Sequence, residues 1–187
     1  MSDDSRDAAR SDTASTPEGT ATHRREAQAL GALRIAVLTV TDSRTEATDE
    51  SGPLARRLLE AAGHDIAKHA LLPNDESRVR SLVSEWLGSG DLHAIVITGG
   101  TGLGSKDRTV EAVTPLFEKE IPGFGELFRL LSYQEQIGTT AILSRAVAGS
   151  AKGAVVVSLP GSKAAVELAL TRVLIPELRH LLREIRK

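Results

Sequence analysis

The sequence predicts an α/β protein built on a largely parallel sheet with helices on both faces. Short β-branched apolar runs alternate with amphipathic stretches along the chain. The runs are apolar on both faces, as strands covered by helices on each side are. Each run leads to a turn rich in Gly, Pro, Asp or Asn and then to a helical stretch. Parallel neighbours need a crossover, which is usually a helix, so this alternation argues for a parallel sheet between helical layers.

Leu33 to Thr41 (LRIAVLTVT) is the natural first strand. Ser51 is placed to cap a helix beginning near Gly52-Pro53, with Leu54, Leu58 and Leu59 on one face and Gly63 as its stop. His64 to Leu72 reads as a second strand. Asn74 or Asp75 then caps a helix whose Val79, Leu82, Val83, Trp86 and Leu87 share one side. Leu92 to Thr98 is a third strand, and Thr109 to Phe117 a short helix. Ile121 to Gly149 reads as a helical region in which Phe124, Leu127, Phe128, Leu130 and Leu131 are more apolar than one helix face requires, so part of it is expected to meet another subunit. Ala154 to Leu159 is a later strand ending in Pro160-Gly161. No internal repeat is evident.

The 187 residues suffice for one domain with a full core, read as residues 32–187. Residues 1–31 are rich in Asp, Ser, Thr, Ala and Arg and hold almost nothing large and apolar, so they are expected to form a disordered tail. A net charge of −2 and a pI near 6.2 leave no large positive field for nucleic acid or acidic lipid. Cysteine is absent, which removes disulfides, thiolate metal sites and cysteine nucleophiles. No apolar run approaches the roughly 20 residues of a spanning helix. A cytoplasmic protein acting on a small molecule or another protein is expected.

Ligands of open α/β folds sit at the carboxyl ends of the strands. This directs attention to the loops Thr41 to Gly52, Gly99 to Thr109 and Pro160 to Ser162. In Thr98-Gly99-Gly100-Thr101-Gly102-Leu103-Gly104, closely spaced backbone N–H groups without Cβ obstruction can cradle an anion such as phosphate, or form a tight turn with no ligand. A P-loop would need Lys directly after the last glycine, whereas Ser105 precedes Lys106 here, and the glycines lack the dinucleotide spacing. Asp107 follows the loop, where it can cap the next helix or serve a ligand. Asp49 lies in the loop behind the first strand, where the sheet could bring it near Asp107. Two carboxylates beside a phosphate cradle call for a cation between them, and Mg²⁺ held by one or two carboxylates and phosphate oxygens meets that need. Asp42 is the alternative, turn-stabilising acid. The five histidines show no metal-ligand spacing.

The order LTVTDSR, DESG, TGGTGLGSKDRT, EAVTPLFEKEIPGFGELFRLLS and VVSLPGS resembles the MoaB/Mog family of molybdenum cofactor biosynthesis proteins, from about Leu33 to the C-terminus. Its relatives include the gephyrin G domain and one domain of the longer MoeA proteins. The resemblance implies a three-layer α/β/α sandwich that assembles as a trimer or a hexamer of two trimers. It also implies adenylylation of molybdopterin, with ATP as co-substrate and Mg²⁺ required. By the same resemblance, Asp49 and Asp107 take catalytic and Mg²⁺-positioning roles, and Gly99, Gly100, Thr101 and Gly102 hold the ligand. Ser51, Thr109 and Ser162 add hydroxyl contacts, and Gly161 lets the backbone come close. Glu126, Arg129 and Ser132 match a family segment with a partly structural role. Lys106 stands where many relatives have Arg, and Thr41 where Ser is common, so a bidentate Arg contact is lost. The family also contains members that hold molybdopterin or scaffold other molybdenum cofactor proteins, so a non-catalytic binding protein is the rival reading.

Overall fold

The computed structural model describes residues 30–187; most of the expected tail, residues 1–29, lies outside the described residues. Six strands form one sheet in the order β2-β1-β3-β6-β5-β4. β1 (Arg34–Val40), β2 (Asp65–Leu72), β3 (Ala94–Thr98) and β6 (Ala154–Leu159) are parallel, while β5 (Val147–Ala151) and β4 (Lys119–Glu120) continue the sheet antiparallel.

Successive strand residues point to opposite faces, and each face has its own core. Ile35, Val37, Val96, Val155 and Val157 pack with α1 (Ser51–Ala61), α4 (Pro122–Ser132), α5 (Lys163–Leu168) and α6 (Ile175–Ile185). Ala36, Leu38, Ile95, Ile97 and Val156 pack with α2 (Glu76–Gly88) and α3 (Thr109–Val113). The architecture is the expected three-layer α/β/α sandwich. β1, β3 and β6 are buried almost throughout, which is why their sequences are apolar on both faces.

The expected helix over Ile121 to Gly149 ends at Ser132. A π-helical turn (Tyr133–Ile137) and a 3-10 segment (Gly138–Leu143) follow, and Val147–Ala151 is a strand. Tertiary pairing decides this. β5 joins β6 through Lys152 and Gly153, both at positive φ (47° and 75°), a two-residue hairpin whose twist suits antiparallel strands. Gly149 is required within β5 because a Cβ there would strike the Phe117 ring. The helix expected from Thr109 to Phe117 is regular only to Val113 and gives way to a 3-10 turn (Thr114–Leu116) at Pro115.

Of the expected caps, Asp75 accepts from Arg78 N–H at 3.0 Å. Ser51 does not cap α1; it is the first helical residue, and Asp49 Oδ1 takes the cap's place by accepting from the N–H groups of Ser51 (3.0 Å) and Gly52 (3.3 Å).

Candidate functional site

A cleft of about 520 Å³ opens at the carboxyl ends of β1, β3 and β6. Its floor is Thr98, Gly99, Gly100, Thr101 and Gly102, and Asp107 stands at its side. Gly99 leaves β3 at φ 98°, where a Cβ would strike the Val40 carbonyl, and Gly100 follows at φ 65°. Gly161, also on the cleft wall, brings the β6 turn so close that a Cβ would lie 3.2 Å from Gly99 Cα. These close approaches explain the glycines.

Behind Gly100 lie two buried oxygens without hydrogen-bond partners, Asn74 Oδ1 and Thr109 Oγ1; both would collide with a Cβ on Gly100. Of the two residues only Asn74 lines the cleft; Thr109, expected to contact the ligand, does not. The Asn74 backbone N–H donates to Asp42 Oδ1 at 2.8 Å. That bond is the chief cause holding the Asp42 carboxyl below its usual range. Asp42 thus joins the β1 loop to the β2 loop, beyond the turn it was expected to stabilise, and it lines the cleft.

Asp107 turns into its own loop: Oδ2 accepts from Gly104 N–H at 3.2 Å, and a Cβ on Gly102 or Gly104 would press on the carboxylate. It does not cap α3, which has no side-chain cap.

Asp49, expected beside Asp107, is set differently from it. Asp49 lines a neighbouring pocket of about 200 Å³ instead of the cleft, and its side chain is only 6% exposed. Oδ1 accepts from Ser51 N–H, Ser51 Oγ–H (2.9 Å) and Gly52 N–H, and Oδ2 from Thr39 Oγ1–H (2.7 Å). Desolvation pushes its carboxyl up, but these hydrogen bonds outweigh it and leave the pKa lowered. A carboxylate so saturated serves its turn. Ser51 does line the cleft, with its hydroxyl spent on Asp49. Ser162 caps α5, its Oγ accepting from Ala165 N–H at 3.2 Å, and does not line the cleft.

Sequence reasoning missed several cleft residues. Asn74 was legible only as a helix cap. Arg44 lies in the loop Thr41 to Gly52 and brings a guanidinium whose approach to Asp49 is a long 4.0 Å. Ile137, Thr140, Leu143 and Ser144 form one wall from the segment expected to be helical, and no local pattern marks them. Of the matched family segment, Arg129 donates to the Ser144 and Ala146 carbonyls (3.4 and 3.5 Å), Ser132 is buried with an unpartnered hydroxyl, and Glu126 is exposed.

The resulting surface combines glycine amides, an arginine, the two carboxylates of Asp42 and Asp107 and an apolar wall, which together can hold an anionic ligand with a flat, apolar portion. Residues 36–180 match the family described as a probable molybdopterin binding domain. The chain belongs to that molybdopterin-binding family. It is 49% identical over 165 residues to molybdenum cofactor biosynthesis protein B of Halalkalibacterium halodurans, covering 88% of this chain and 96% of the relative. The protein of the same name from Bacillus subtilis is 47% identical over the same shares. Among solved structures, a crystal structure of molybdenum cofactor biosynthesis protein B aligns with a TM-score of 0.80 at 42% identity, covering 83% of this chain and 96% of the other. The tungsten cofactor synthesizing protein MoaB from Pyrococcus furiosus aligns at 0.75 and 36%, with 83% and 98% covered. The family's fold is thus the sandwich described above.

Proposed function

We propose that the protein binds molybdopterin in this cleft and adenylylates it with Mg-ATP. Its place in molybdenum cofactor biosynthesis follows from its family and relatives. The observation that carries the reading is the Gly99 to Gly102 turn, which opens onto the cleft at the strand ends with Asp107 beside it. In the reaction a terminal phosphate oxygen of molybdopterin forms a bond to the α-phosphorus of ATP. The bond from that phosphorus to the bridging oxygen breaks, and pyrophosphate leaves with the electron pair. No protein nucleophile is needed, so catalysis consists of alignment and charge neutralisation.

Asp107 would hold a Mg²⁺ brought with the phosphates, and the hydrogen bonds that Asp49 already accepts argue against its sharing the ion. Among the described residues no group of three or more His, Cys, Asp and Glu could hold a metal by itself. When bound, Mg²⁺ neutralises phosphate charge. The glycine amides hold an anion and Arg44 balances its charge. Ile137 and Leu143 give a flat ring an apolar wall.

The exposed Leu127, Leu130, Tyr133, Ile137, Ile142 and Leu143 concentrate on α4 and the segment after it, and support assembly as a trimer or a hexamer. Among the described residues no helix is long and apolar enough to cross a membrane, and the proposed site of action is the cytoplasm. A specific observation favours a second reading, a non-catalytic binder or scaffold: the carboxylates lining the cleft are Asp107 and Asp42, and both already accept backbone hydrogen bonds, from Gly104 and Asn74. Incubation with molybdopterin, ATP and Mg²⁺ decides between them. Adenylylated pterin with stoichiometric pyrophosphate supports the transferase; pterin binding without product supports the binder.

A further inference from the structure

The segment from Thr101 to Asp107 carries the cleft's last glycine amide and its side carboxylate, yet it has no regular secondary structure. Leu103 is 70% exposed, and Gly104, Ser105 and Lys106 are exposed as well. Within the loop, Asp107 N–H donates to the Gly104 carbonyl at 3.0 Å, and Gly104 N–H donates to the Asp107 carboxylate. Those bonds shape the turn but do not attach it to the body.

Thr109 N–H donates to the Gly100 carbonyl at 3.0 Å just outside the loop, and Arg145 makes the side-chain attachment. Its Nε–H donates to the Thr101 carbonyl at 3.0 Å and its Nη2–H to the Asp107 carbonyl at 2.8 Å, so one guanidinium joins the two ends of the loop. Nη1 pairs with Glu111 Oε1 at 2.6 Å on α3. The segment bearing Arg145 is itself tied to α4 by Arg129, through the carbonyls on either side, Ser144 and Ala146. Glu111 stands 3.9 Å from Arg108, which pairs with Glu76 of α2 at 2.8 Å, so the brace continues into the next helix. Arg145 does not line the cleft.

We propose that Arg145 is the positioning residue of the anion-binding loop, setting the Gly102 amide and the Asp107 carboxylate by spanning the Thr101 and Asp107 carbonyls. The proposal rests on the reading that this cleft binds molybdopterin. The planar fork of arginine is essential, because two carbonyls and a carboxylate are met at fixed angles by three different nitrogens. Lysine offers a single ammonium; it can keep the pairing with Glu111 but cannot span both carbonyls.

The test compares the full chain with Arg145→Ala and Arg145→Lys by amide hydrogen exchange, thermal melting and molybdopterin affinity. Both variants should exchange the amides of residues 102–107 about 10-fold faster or more, with β3 and α2 unchanged. Both should weaken molybdopterin binding about 10-fold, the cost of ordering the loop at the moment of binding. Arg145→Lys should melt closer to the wild type than Arg145→Ala. Unchanged exchange at residues 102–107 in Arg145→Ala overturns the proposal, as does faster exchange with unchanged affinity. An Arg145→Lys that matches the wild type in exchange and affinity also overturns it, since charge alone would then suffice. A wild-type chain that does not bind molybdopterin sinks the reading of the cleft instead, and the exchange data alone then decide whether Arg145 braces the loop.

Discussion

Thr39 Oγ1 donates to Asp49 Oδ2 over 2.7 Å, tying the end of β1 to the turn that starts α1. With Ser51 and Gly52 donating to the same carboxylate, Asp49 has little acceptor capacity left for a ligand. Asp49→Asn places an amide N–H among these donors and should cost about 1–3 kcal/mol of stability. Urea unfolding at pH 7 measures the loss; a variant as stable as the wild type but without transfer activity would return Asp49 to the chemistry. The lowered carboxyl pKa sets the pH behaviour. The Asp49 contribution is present above the unfolded-state pKa and is lost as pH falls through the lower folded-state pKa.

Asp107 differs because it lines the cleft and its carboxylate accepts from one loop amide, Gly104 N–H. Asp107→Asn keeps that acceptor and should leave the melting temperature nearly unchanged. If the transferase reading holds, adenylylation should fall about 100-fold or more, because charge beside the shifting phosphates is lost. Much of the pterin affinity should survive. Unchanged turnover in this variant rules out the metal-positioning role.

Gly100→Ala tests the floor of the cleft. At φ 65° any side chain is strained, and the new Cβ would meet Thr109 Oγ1 and Asn74 Oδ1 together. A destabilisation of about 1–3 kcal/mol is expected, with loss of pterin binding. Calorimetry and ligand titration on the same preparation check both.

At the opposite end of the sheet, two histidines hold the entry to β1. Leu33 N–H donates to His64 Nδ1 at 3.3 Å and Arg34 N–H to His93 Nδ1 at 2.8 Å, so both rings must be unprotonated at Nδ1. Burial lowers both pKa values, reinforced by Arg179 at His64 and by Arg186 and Arg34 at His93; Asp65 and Asp91 oppose it, and the His93 charge adds to the lowering at His64. The unfolded chain therefore binds protons first. Stability is complete above the unfolded histidine pKa of about 6.5 and declines as pH falls from there toward the folded values. Unfolding free energies at about pH 7.5 and 5.5 should show this slope, and His64→Gln should reduce it.

Leu127 and Leu130 lie exposed on α4. Leu130→Glu should convert an oligomer to a monomer in light scattering while the monomer keeps its fold, because the side chain contributes little to its own subunit's core. A monomeric wild type would remove the assembly from the reading.

By itself the sequence determined the sandwich, since β1, β3 and β6 are apolar on both faces and only a central parallel sheet buries both. It also determined the glycine turn after β3, because local backbone conformation at Gly99 and Gly100 demands those residues. What required the tertiary structure was every pairing between distant segments. β5 is a strand because β6 is beside it, although Val147 to Ala151 has weak β-forming composition. Asp49 is taken up by hydrogen bonds from Thr39 and the start of α1, and Asn74, Ile137 and Leu143 entered the cleft from regions that read locally as a cap and a helix. Hydrophobic periodicity records which face a residue buries. It does not record which of several carboxylates faces a cavity, because that depends on hydrogen-bond donors supplied from elsewhere in the fold.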